Sequence, residues 1–307
     1  MDTRRKDIEE YKSWGKGYYH LSSDGWKEGR MFHTESQYAY GMTVMGLLTL
    51  RFEVEIYDFT LMPNHIHVIL SGSGAQCVQA FSYFKEKINR RLRRDGYPPL
   101  PENYGFKLTR IETREQMKTN IIYLARNPFE KQVSVPGGYL WGSACLHHSM
   151  VAEAFDGISA QDMSKRELIR LAGSRTSIPT HWKFHPRFGL LPSSFLNQKL
   201  FYKLFPTPKD YETRLVKDYE ALVKLSEKLE EEMEFTKEEL DDILSQVLQD
   251  HFQGKRTREL SGDEKGRLCR ILEENYHLTH KQIADALHIP EYLVAQFLRS
   301  KDYGTRR

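Results

Sequence analysis

Two histidines separated by a single hydrophobic residue are the first sign of chemistry in this sequence. His65 and His67 lie in the segment LMPNHIHVIL, whose other residues are mostly apolar. Side chains alternate between the two faces of a strand, so His65 and His67 are expected on one face and Ile66 and Val68 on the other. Neighbouring imidazoles suit a metal ion, although such a pair also occurs as two structural histidines. Burying them is costly, so we expect polar partners against them.

The segment from Thr113 to Pro128 supplies a phenol and an amide at helical spacing. Thr113 followed by Gln116 is typical of a capping box, and Pro128 is expected to end the helix. Tyr123 and Asn127 are four residues apart and therefore share one face of the predicted helix. They are suited to act as nucleophile and metal ligand. The alternative is a tyrosine that packs its ring and an asparagine that ends the helix before proline.

Together, the two segments resemble the single-tyrosine HUH transposases and, within them, the REP-associated tyrosine transposases. The resemblance rests mainly on the segments MPNHIH at 62–67 and YLARNP at 123–128. Weaker similarity lies in GYYH at 17–20, GRMF at 29–32 and LWGSA at 140–144. The resemblance covers roughly residues 15–148 and says little about the rest of the chain.

The resemblance implies an enzyme that nicks and rejoins single-stranded DNA. Tyr123 is expected to attack phosphorus, which gives a 5′-phosphotyrosine and a free 3′-hydroxyl that can reverse the step on another strand. His65, His67 and Asn127 are expected to hold one divalent cation, Mg²⁺ or Mn²⁺. The DNA is expected to be a hairpin or a repeat end. A homodimer is compatible with this function, and the use of Tyr123 within or between subunits stays open.

Two other classes of function stay open. One is a domesticated DNA-binding protein, a repeat or hairpin binder or regulator with reduced or no transposition. The other is a metal-dependent hydrolase that uses water as its nucleophile, in which Tyr123 only packs. A covalent protein–DNA adduct that resists SDS would distinguish the transposase from both.

The hydrophobic patterns predict the elements that position these side chains. They predict strands at 18–21, 52–57, around the histidines and at 106–111, and helices at 33–50, 79–94 and 113–127. The strand at 52–57 alternates and is expected to be half open to solvent. This order suits an α+β fold, a ferredoxin-like antiparallel sheet with helices on one face.

Positive charge is concentrated around the candidate site. Residues 81–131 contain twelve Lys or Arg and six Asp or Glu, whereas the whole chain has a net charge of only +3. Charge runs are commonly solvated surface, but together these residues suit a track for a phosphate backbone. Tyr97, Tyr104 and Phe106 are candidates for stacking on bases or for core packing. The candidate DNA contacts are Lys85, Lys87, Arg90, Arg91, Arg93, Arg94 and Arg126.

The end of the chain resembles a helix-turn-helix within an all-helical C-terminal region. Thr279 is predicted to cap one helix and Pro290 to begin the next. The second helix would enter the major groove, although small helical hairpins also bind proteins. Candidate base contacts are Glu291, Tyr292 and Gln296, and candidate phosphate contacts are Arg299, Lys301, Arg306 and Arg307.

Length and composition predict the organisation of the whole chain. The 307 residues exceed a usual single domain, and we expect a nuclease domain at 1–148, an accessory helical region at 149–235 and a helical domain at 236–307. Residues 209–250 contain fourteen acidic and six basic side chains, so this block is not expected to lie on DNA. Three scattered cysteines support neither a disulfide framework nor a thiolate zinc site. With no signal peptide or membrane span evident, a cytoplasmic location is expected.

Overall fold

The computed structural model describes residues 2–25, 29–130, 139–148, 157–215, 219–230, 235 and 237–299. The chain divides into two compact units, Met1–Leu215 and Val216–Arg307, which are described separately. The predicted functional boundaries at 148 and 235 stay predictions.

The first unit is an α+β structure built on a four-stranded antiparallel sheet. Its strands are β1 (Gly17–Ser23), β2 (Glu55–Leu61), β3 (Ile66–Gly72) and β4 (Phe106–Ile111), in the order β2-β3-β1-β4. The helices before and between them are α1 (Asp2–Ser13), α2 (Glu35–Phe52), α3 (Gly74–Arg94) and α4 (Arg114–Glu130). From β1 onward, the predicted alternation of strands and helices is confirmed.

The second strand differs from its prediction. It begins at Glu55 instead of residue 52 because α2 extends to Phe52. The next residue, Glu53, caps the helix with a left-handed φ of 53°. Its remaining residues are buried, so the expectation of a half-exposed strand was wrong. Isolated bridges to Gly142 and Leu196 show that later segments of the chain lie alongside this edge of the sheet.

One face of the sheet is covered by an apolar core. Leu21 of β1 and Val68 of β3 pack there in one cluster with Met45 of α2 and Phe84 of α3. The alternation of β1 and β3 turns His20 and His67 to the other face. The two faces therefore differ in chemistry.

The histidine face is covered by α4, so the prediction of helices on one face only was wrong. Asn120 and Asn127 of α4 lie within hydrogen-bonding distance of His20 and His67, respectively. Asn120 and Asn127 give α4 a polar face that matches the polar face of the sheet, whereas α2 and α3 pack apolar side chains on the other face. The chemistry of the helix surface explains which face each helix covers.

Pro128 does not end α4, which continues to Glu130. A proline inside a helix removes the N–H that would bond to the carbonyl four residues earlier, here that of Leu124. The Thr60 hydroxyl donates to this carbonyl at 3.1 Å. A side chain of β2 therefore satisfies the acceptor that proline leaves unsatisfied. The predicted capping box at the other end is confirmed, since Thr113 and Gln116 bond to each other's backbone N–H.

The described residues of the first unit after α4 include a small sheet and three α-helices. The strands are β5 (Ile158–Ser159), β6 (Lys183–His185) and β7 (Gly189–Leu190), and the helices are α5 (Lys165–Ala172), α6 (Gln198–Leu204) and α7 (Pro208–Leu215). Helix α5 begins with a capping box at Ser164 and ends at Gly173. β7 packs on α2, where the Leu190 N–H donates to the Thr43 hydroxyl at 3.2 Å.

The second unit is helical over its described residues. Its helices are α8 (Tyr219–Leu229), α9 (Lys237–Phe252), α10 (Gly262–Tyr276), α11 (His280–Leu287) and α12 (Glu291–Arg299). Leu268, Leu272, Ile283 and Val294 are fully buried in its core. Thr279 caps α11 as predicted, and Pro290 lies directly before α12. In the described part of the chain, no helix has the length and apolar character that crossing a membrane requires.

Candidate active site

His67 lies at the centre of a buried polar cluster. It belongs to β3, pairs with Ser22 of β1 and Thr60 of β2, and has no exposed surface. Its Nδ1 is 3.1 Å from Nε2 of His20, and its Nε2 is 3.2 Å from Nδ2 of Asn127. Polar groups thus surround the imidazole, as the cost of burying it requires.

Helix α4 brings Tyr123 against the same histidine. The ring centroids of Tyr123 and His67 are 5.6 Å apart with an interplanar angle of 85°, and those of Tyr123 and His20 are 6.2 Å apart. Asn120, Tyr123 and Asn127 share one face of α4 because they are three and four residues apart. The structure therefore joins the phenol and amide of the tyrosine helix to the histidine strand.

His65 lies at the edge of the cluster, directly before β3 begins. Its ring centroid is 4.9 Å from that of His67, with an interplanar angle of 88°. Its Nδ1 lies 2.8 Å from Oδ1 of Asn64. The two predicted histidines are therefore neighbours, although only His67 belongs to the regular strand.

The backbone on both sides of His65 is held by Ser23 and Tyr104. The Tyr104 hydroxyl donates to the carbonyl of Asn64 at 3.1 Å, and the N–H of Ile66 donates to the Ser23 hydroxyl at 2.9 Å. The two hydroxyls are 2.8 Å apart. Tyr104 is buried, so the structure shows the core-packing alternative for this residue and not an exposed ring for stacking on bases.

The cluster is suited to a cation. Burial, followed by the neighbouring His20, lowers the pKa of His67 well below its usual value, so this imidazole is neutral at pH 7. Oδ1 of Asn127 is buried and has no hydrogen-bond partner in the described part of the chain. A buried oxygen in this state costs free energy that a cation ligand would offset. The donor set of two imidazoles and an amide oxygen fits a divalent ion.

The described residues contain no second group of side chains that could hold a metal ion. Among the described residues, no three His, Cys, Asp or Glu side chains are grouped so that they could hold a metal ion. A cation at the cluster would therefore depend on the amide of Asn127 in addition to the predicted histidines.

Burial limits access to the cluster. Tyr123 and Asn127 are each 2% exposed, and His65 is 7% exposed. A phosphodiester cannot reach the Tyr123 hydroxyl in this conformation. Any reaction at this residue requires the surrounding chain to move.

The predicted DNA-contacting residues of α3 fall into two groups. Arg90, Arg93 and Arg94 are exposed at the end of the helix, where Arg90 forms an ion pair with Glu86. Arg91 is half-buried, and its Nε donates to Asp95 at 2.6 Å. These arginines form a basic surface patch, called here the α3 arginine patch: Arg90, Arg91, Arg93 and Arg94.

Three other predicted DNA contacts have structural partners. Lys85 donates to the carbonyls of Glu102 and Tyr104 at 3.0 and 2.6 Å. Lys87 is buried and donates to the carbonyl of Gly173 at 2.8 Å. Arg126 is buried and donates to the carbonyl of Leu215. The structure does not place Lys87 and Arg126 on the surface with the arginines.

In the second unit, α12 presents the predicted side chains to solvent. Glu291, Gln296 and Arg299 are exposed, and Tyr292 is 68% exposed. The predicted phosphate contacts Lys301, Arg306 and Arg307 lie outside the described residues.

His20 and Asn120 are the members of the cluster that sequence reasoning did not assign to the site. Nδ1 of His20 is 2.6 Å from Oδ1 of Asn120, whose Nδ2 donates to the carbonyl of Gln116 at 2.7 Å. Two features of the sequence indicate them: GYYH at 17–20 is part of the family resemblance, and Asn120 shares its helix face with Tyr123 and Asn127. Neither signal showed that β1 is the strand that pairs with the histidine strand.

Comparison with known proteins gives a remote likeness. No protein-family profile and no curated protein matches the chain. A solved structure of a REP-associated tyrosine transposase bound to a REP hairpin matches with a TM-score of 0.37 and 13% identity, over 54% of this chain and 92% of that chain. A likeness at this level establishes no shared activity, so the function is inferred from the residues of this chain.

Proposed function

We propose that the first unit contains a single-tyrosine HUH nuclease that nicks and rejoins single-stranded DNA, as a DNA transposase does. The observation that carries the proposal is the convergence of Tyr123 and Asn127 of α4 with His67 of β3 in one buried cluster, with the rings of Tyr123 and His67 5.6 Å apart. A nucleophile beside a neutral imidazole and an amide oxygen is the combination that this chemistry needs.

In the proposed reaction, the Tyr123 oxygen forms a bond to phosphorus and loses its proton. The bond from phosphorus to the 3′-oxygen breaks, and that oxygen gains a proton. A 5′-phosphotyrosine and a 3′-hydroxyl result. A free phenol has a pKa of about 10, so the hydroxyl needs activation within the site. Attack by a 3′-hydroxyl on the phosphotyrosine reverses the step and rejoins DNA.

His65, His67 and Asn127 would hold one Mg²⁺ or Mn²⁺ ion, which when bound polarises the scissile phosphate and offsets negative charge in the transition state. The neutral state of His67 and the unpartnered Oδ1 of Asn127 support this assignment. Ser23 and Tyr104 would keep His65 at the edge of the site by holding its backbone.

The architecture supports the same proposal. The order β2-β3-β1-β4, with α2 and α3 on the apolar face, supports the proposal of a ferredoxin-like sheet. The histidines lie on the opposite face, where α4 supplies the tyrosine. We further propose that the α3 arginine patch binds the phosphate backbone, and that α11 and α12 act as a helix-turn-helix that contacts duplex DNA through α12.

The decisive experiment is a cleavage assay with labelled single-stranded DNA hairpins and Mn²⁺, analysed on denaturing SDS gels. The wild-type protein should form an SDS-resistant adduct and release a strand with a free 3′-hydroxyl. Tyr123→Phe should abolish both products because the nucleophilic oxygen is removed. It should leave hairpin binding within about twofold, since it removes one hydroxyl and keeps the proposed phosphate contacts of the α3 arginine patch.

Tyr202→Phe is the matched control, because Tyr202 is a tyrosine of α6 whose ring contacts Phe201 and His148 outside the cluster. It should cleave as the wild type does. Full adduct formation by Tyr123→Phe would refute the assignment of the nucleophile.

The burial of Tyr123 favours a second candidate, a DNA-binding protein that recognises repeats or hairpins without cutting them. In that case the cluster is structural and the closed conformation is the functional one. Tight hairpin binding by the wild type with no adduct at any Mn²⁺ concentration would support this candidate.

A further inference from the structure

A chain of buried side chains connects α4 to His67. It starts at the carbonyl of Gln116, to which Nδ2 of Asn120 donates at 2.7 Å. It continues from Oδ1 of Asn120 to Nδ1 of His20 at 2.6 Å, and from Nε2 of His20 to Nδ1 of His67 at 3.1 Å. It ends at Nε2 of His67, which faces Nδ2 of Asn127 at 3.2 Å.

The first partner in this chain fixes the positions of the protons. A carbonyl only accepts, so Asn120 must donate to Gln116 through Nδ2 and turn Oδ1 toward His20. That oxygen also only accepts, so Nδ1 of His20 carries a proton. Nε2 of a neutral His20 is then an acceptor, and Nδ1 of His67 donates to it. The remaining nitrogen of His67, Nε2, keeps its lone pair.

A second proton on His20 fits the surroundings poorly. It would place a positive charge on a side chain that has no exposed surface, and burying a charge is costly. It would also move the proton of His67 to Nε2, where it would point at the amide nitrogen of Asn127, which is itself a donor. The neutral arrangement avoids both conflicts.

We propose that His20, oriented by Asn120, is a positioning residue that fixes the Nδ1-protonated tautomer of His67, so that Nε2 of His67 carries a lone pair. In this structure Nδ2 of Asn127 faces that nitrogen, and a cation would replace this contact. The tautomer follows from the series of hydrogen bonds described above. Its consequence for a cation rests on the proposed function. His20 itself is not placed as a ligand, because its Nδ1 carries a proton and its Nε2 accepts from His67 in this arrangement. The Nε2 contact of His67 is instead to Asn127, which is itself a proposed ligand. Groups that orient a ligating histidine through its other nitrogen are a recurrent feature of metal sites.

The tautomer is measurable in the metal-free protein. Long-range ¹H–¹⁵N correlation spectra of ¹⁵N-labelled full-length protein distinguish protonated from unprotonated ring nitrogens, and His67→Gln identifies the His67 signals. At neutral pH we expect a proton on Nδ1 and none on Nε2. A proton on Nε2 of His67 in the wild type would overturn the proposal, whether or not the protein cuts DNA.

Substitutions of His20 test the consequence for ligation. His20→Phe removes the acceptor, so the Nδ1-protonated tautomer of His67 should lose its preference, and Mn²⁺ affinity measured by titration calorimetry should fall about 10- to 100-fold. His20→Gln offers a side-chain oxygen as a replacement acceptor and should restore the tautomer and most of the affinity. His185→Gln is the control, since His185 lies in β6 outside the cluster, and it should change neither.

The outcomes separate the two proposals. If the His67 tautomer and Mn²⁺ affinity are unchanged in a folded His20→Phe protein, the positioning role is refuted. If His20→Phe does not fold, His20→Gln and the wild-type spectrum still decide the tautomer. If the wild type shows the expected tautomer but does not bind Mn²⁺, the positioning of His67 is supported, and the metal-dependent part of the proposed function fails.

Discussion

At the scale of single residues, burial sets the chemistry of the first unit. His67 is neutral because its side chain is fully buried, and Tyr123 is covered at the same place. Burial keeps the proposed nucleophile away from solvent and requires polar partners in fixed positions around it. The proposed nuclease must therefore open before DNA reaches Tyr123, whereas the assignment of the His67 tautomer applies to the closed form.

A second buried pair makes stability depend on pH. Asp58 of β2 lies against His147, with Oδ2 and Nε2 3.5 Å apart, and the Ser143 hydroxyl donates to the other carboxyl oxygen. Burial raises the pKa of Asp58 from 3.8 to about 8 and lowers the pKa of His147 from 6.5 to about 3. Both side chains are therefore neutral at pH 7.

The two pKa shifts have opposite effects on the pH dependence of the free energy of unfolding. Between about pH 4 and 6.5, the folded Asp58 and the unfolded His147 each hold a proton, so their effects cancel. From about pH 6.5 to 8, only the folded Asp58 holds an extra proton, and stability should fall with rising pH by up to about 1.4 kcal/mol per pH unit. Above the folded pKa the loss is complete.

Asp58→Asn should remove this fall, because an amide does not titrate. Urea unfolding of the wild type and the variant at pH 6.5, 7.25 and 8, followed by circular dichroism, measures the difference. Equal slopes for the two proteins over this range would show that Asp58 titrates normally. Asp162→Asn is the control, since the side chain of Asp162 is exposed.

At the scale of elements, α4 joins the site to the sheet despite its internal proline. Thr60 of β2 donates to the Leu124 carbonyl, which Pro128 leaves without its usual helical donor. Thr60→Val should therefore leave a buried acceptor unsatisfied and lower the free energy of unfolding by about 1–3 kcal/mol. Tyr123 lies one residue before Leu124, so this contact also holds the part of α4 that carries the proposed nucleophile.

A double-mutant cycle tests the reason for this cost. Pro128→Ala supplies an amide N–H at position 128 that can bond to Leu124 in the ordinary helical way. In that background, Thr60→Val should cost at least about 0.5 kcal/mol less than in the wild type, the smallest coupling expected for residues in contact. Additive effects in denaturant unfolding would show that Thr60 does not act through the carbonyl of Leu124.

At the scale of the whole molecule, charge is divided between two compact units. The α3 arginine patch belongs to the first unit, and the acidic block at 209–250 extends mainly through the second. Arg93 and Arg94 are the patch members best suited to contact phosphates, since both are exposed, whereas Arg91 is half-buried and donates to Asp95. Nε of Arg94 lies at a longer distance of 3.7 Å from Asp95. Phosphate contacts release counterions, so their number determines how steeply binding depends on salt.

Arg93→Gln and Arg94→Gln should each weaken hairpin binding and reduce the slope of log K against log salt concentration by about 0.7 for a single-stranded contact. Fluorescence anisotropy over a range of NaCl concentrations measures both quantities. Lys224→Gln removes an equal charge from an exposed position of α8 and should leave the slope unchanged. If all three variants behave alike, the α3 arginine patch is not a DNA-binding surface.

Local sequence patterns determined the helix caps, the limits of one strand and part of the candidate site. The caps at Thr113, Ser164 and Thr279 and the limits of β4 follow from neighbouring residues, since capping and strand alternation involve short stretches of chain. The helical spacing that aligns Tyr123 with Asn127 is local in the same way. These parts of the candidate site were predictable because they need no information about distant segments.

Strand pairing and helix packing decided the rest. Only the pairing of β1 with β3 brings His20 to His67, 47 residues apart in the chain. Only the packing of α4 on the polar face of the sheet brings Tyr123 to these histidines, and only tertiary contacts bury Lys87 among its partners. A sequence shows which side chains share a face of their own element. Which faces meet is determined by matching apolar and polar surfaces across the whole fold, and this completes the site.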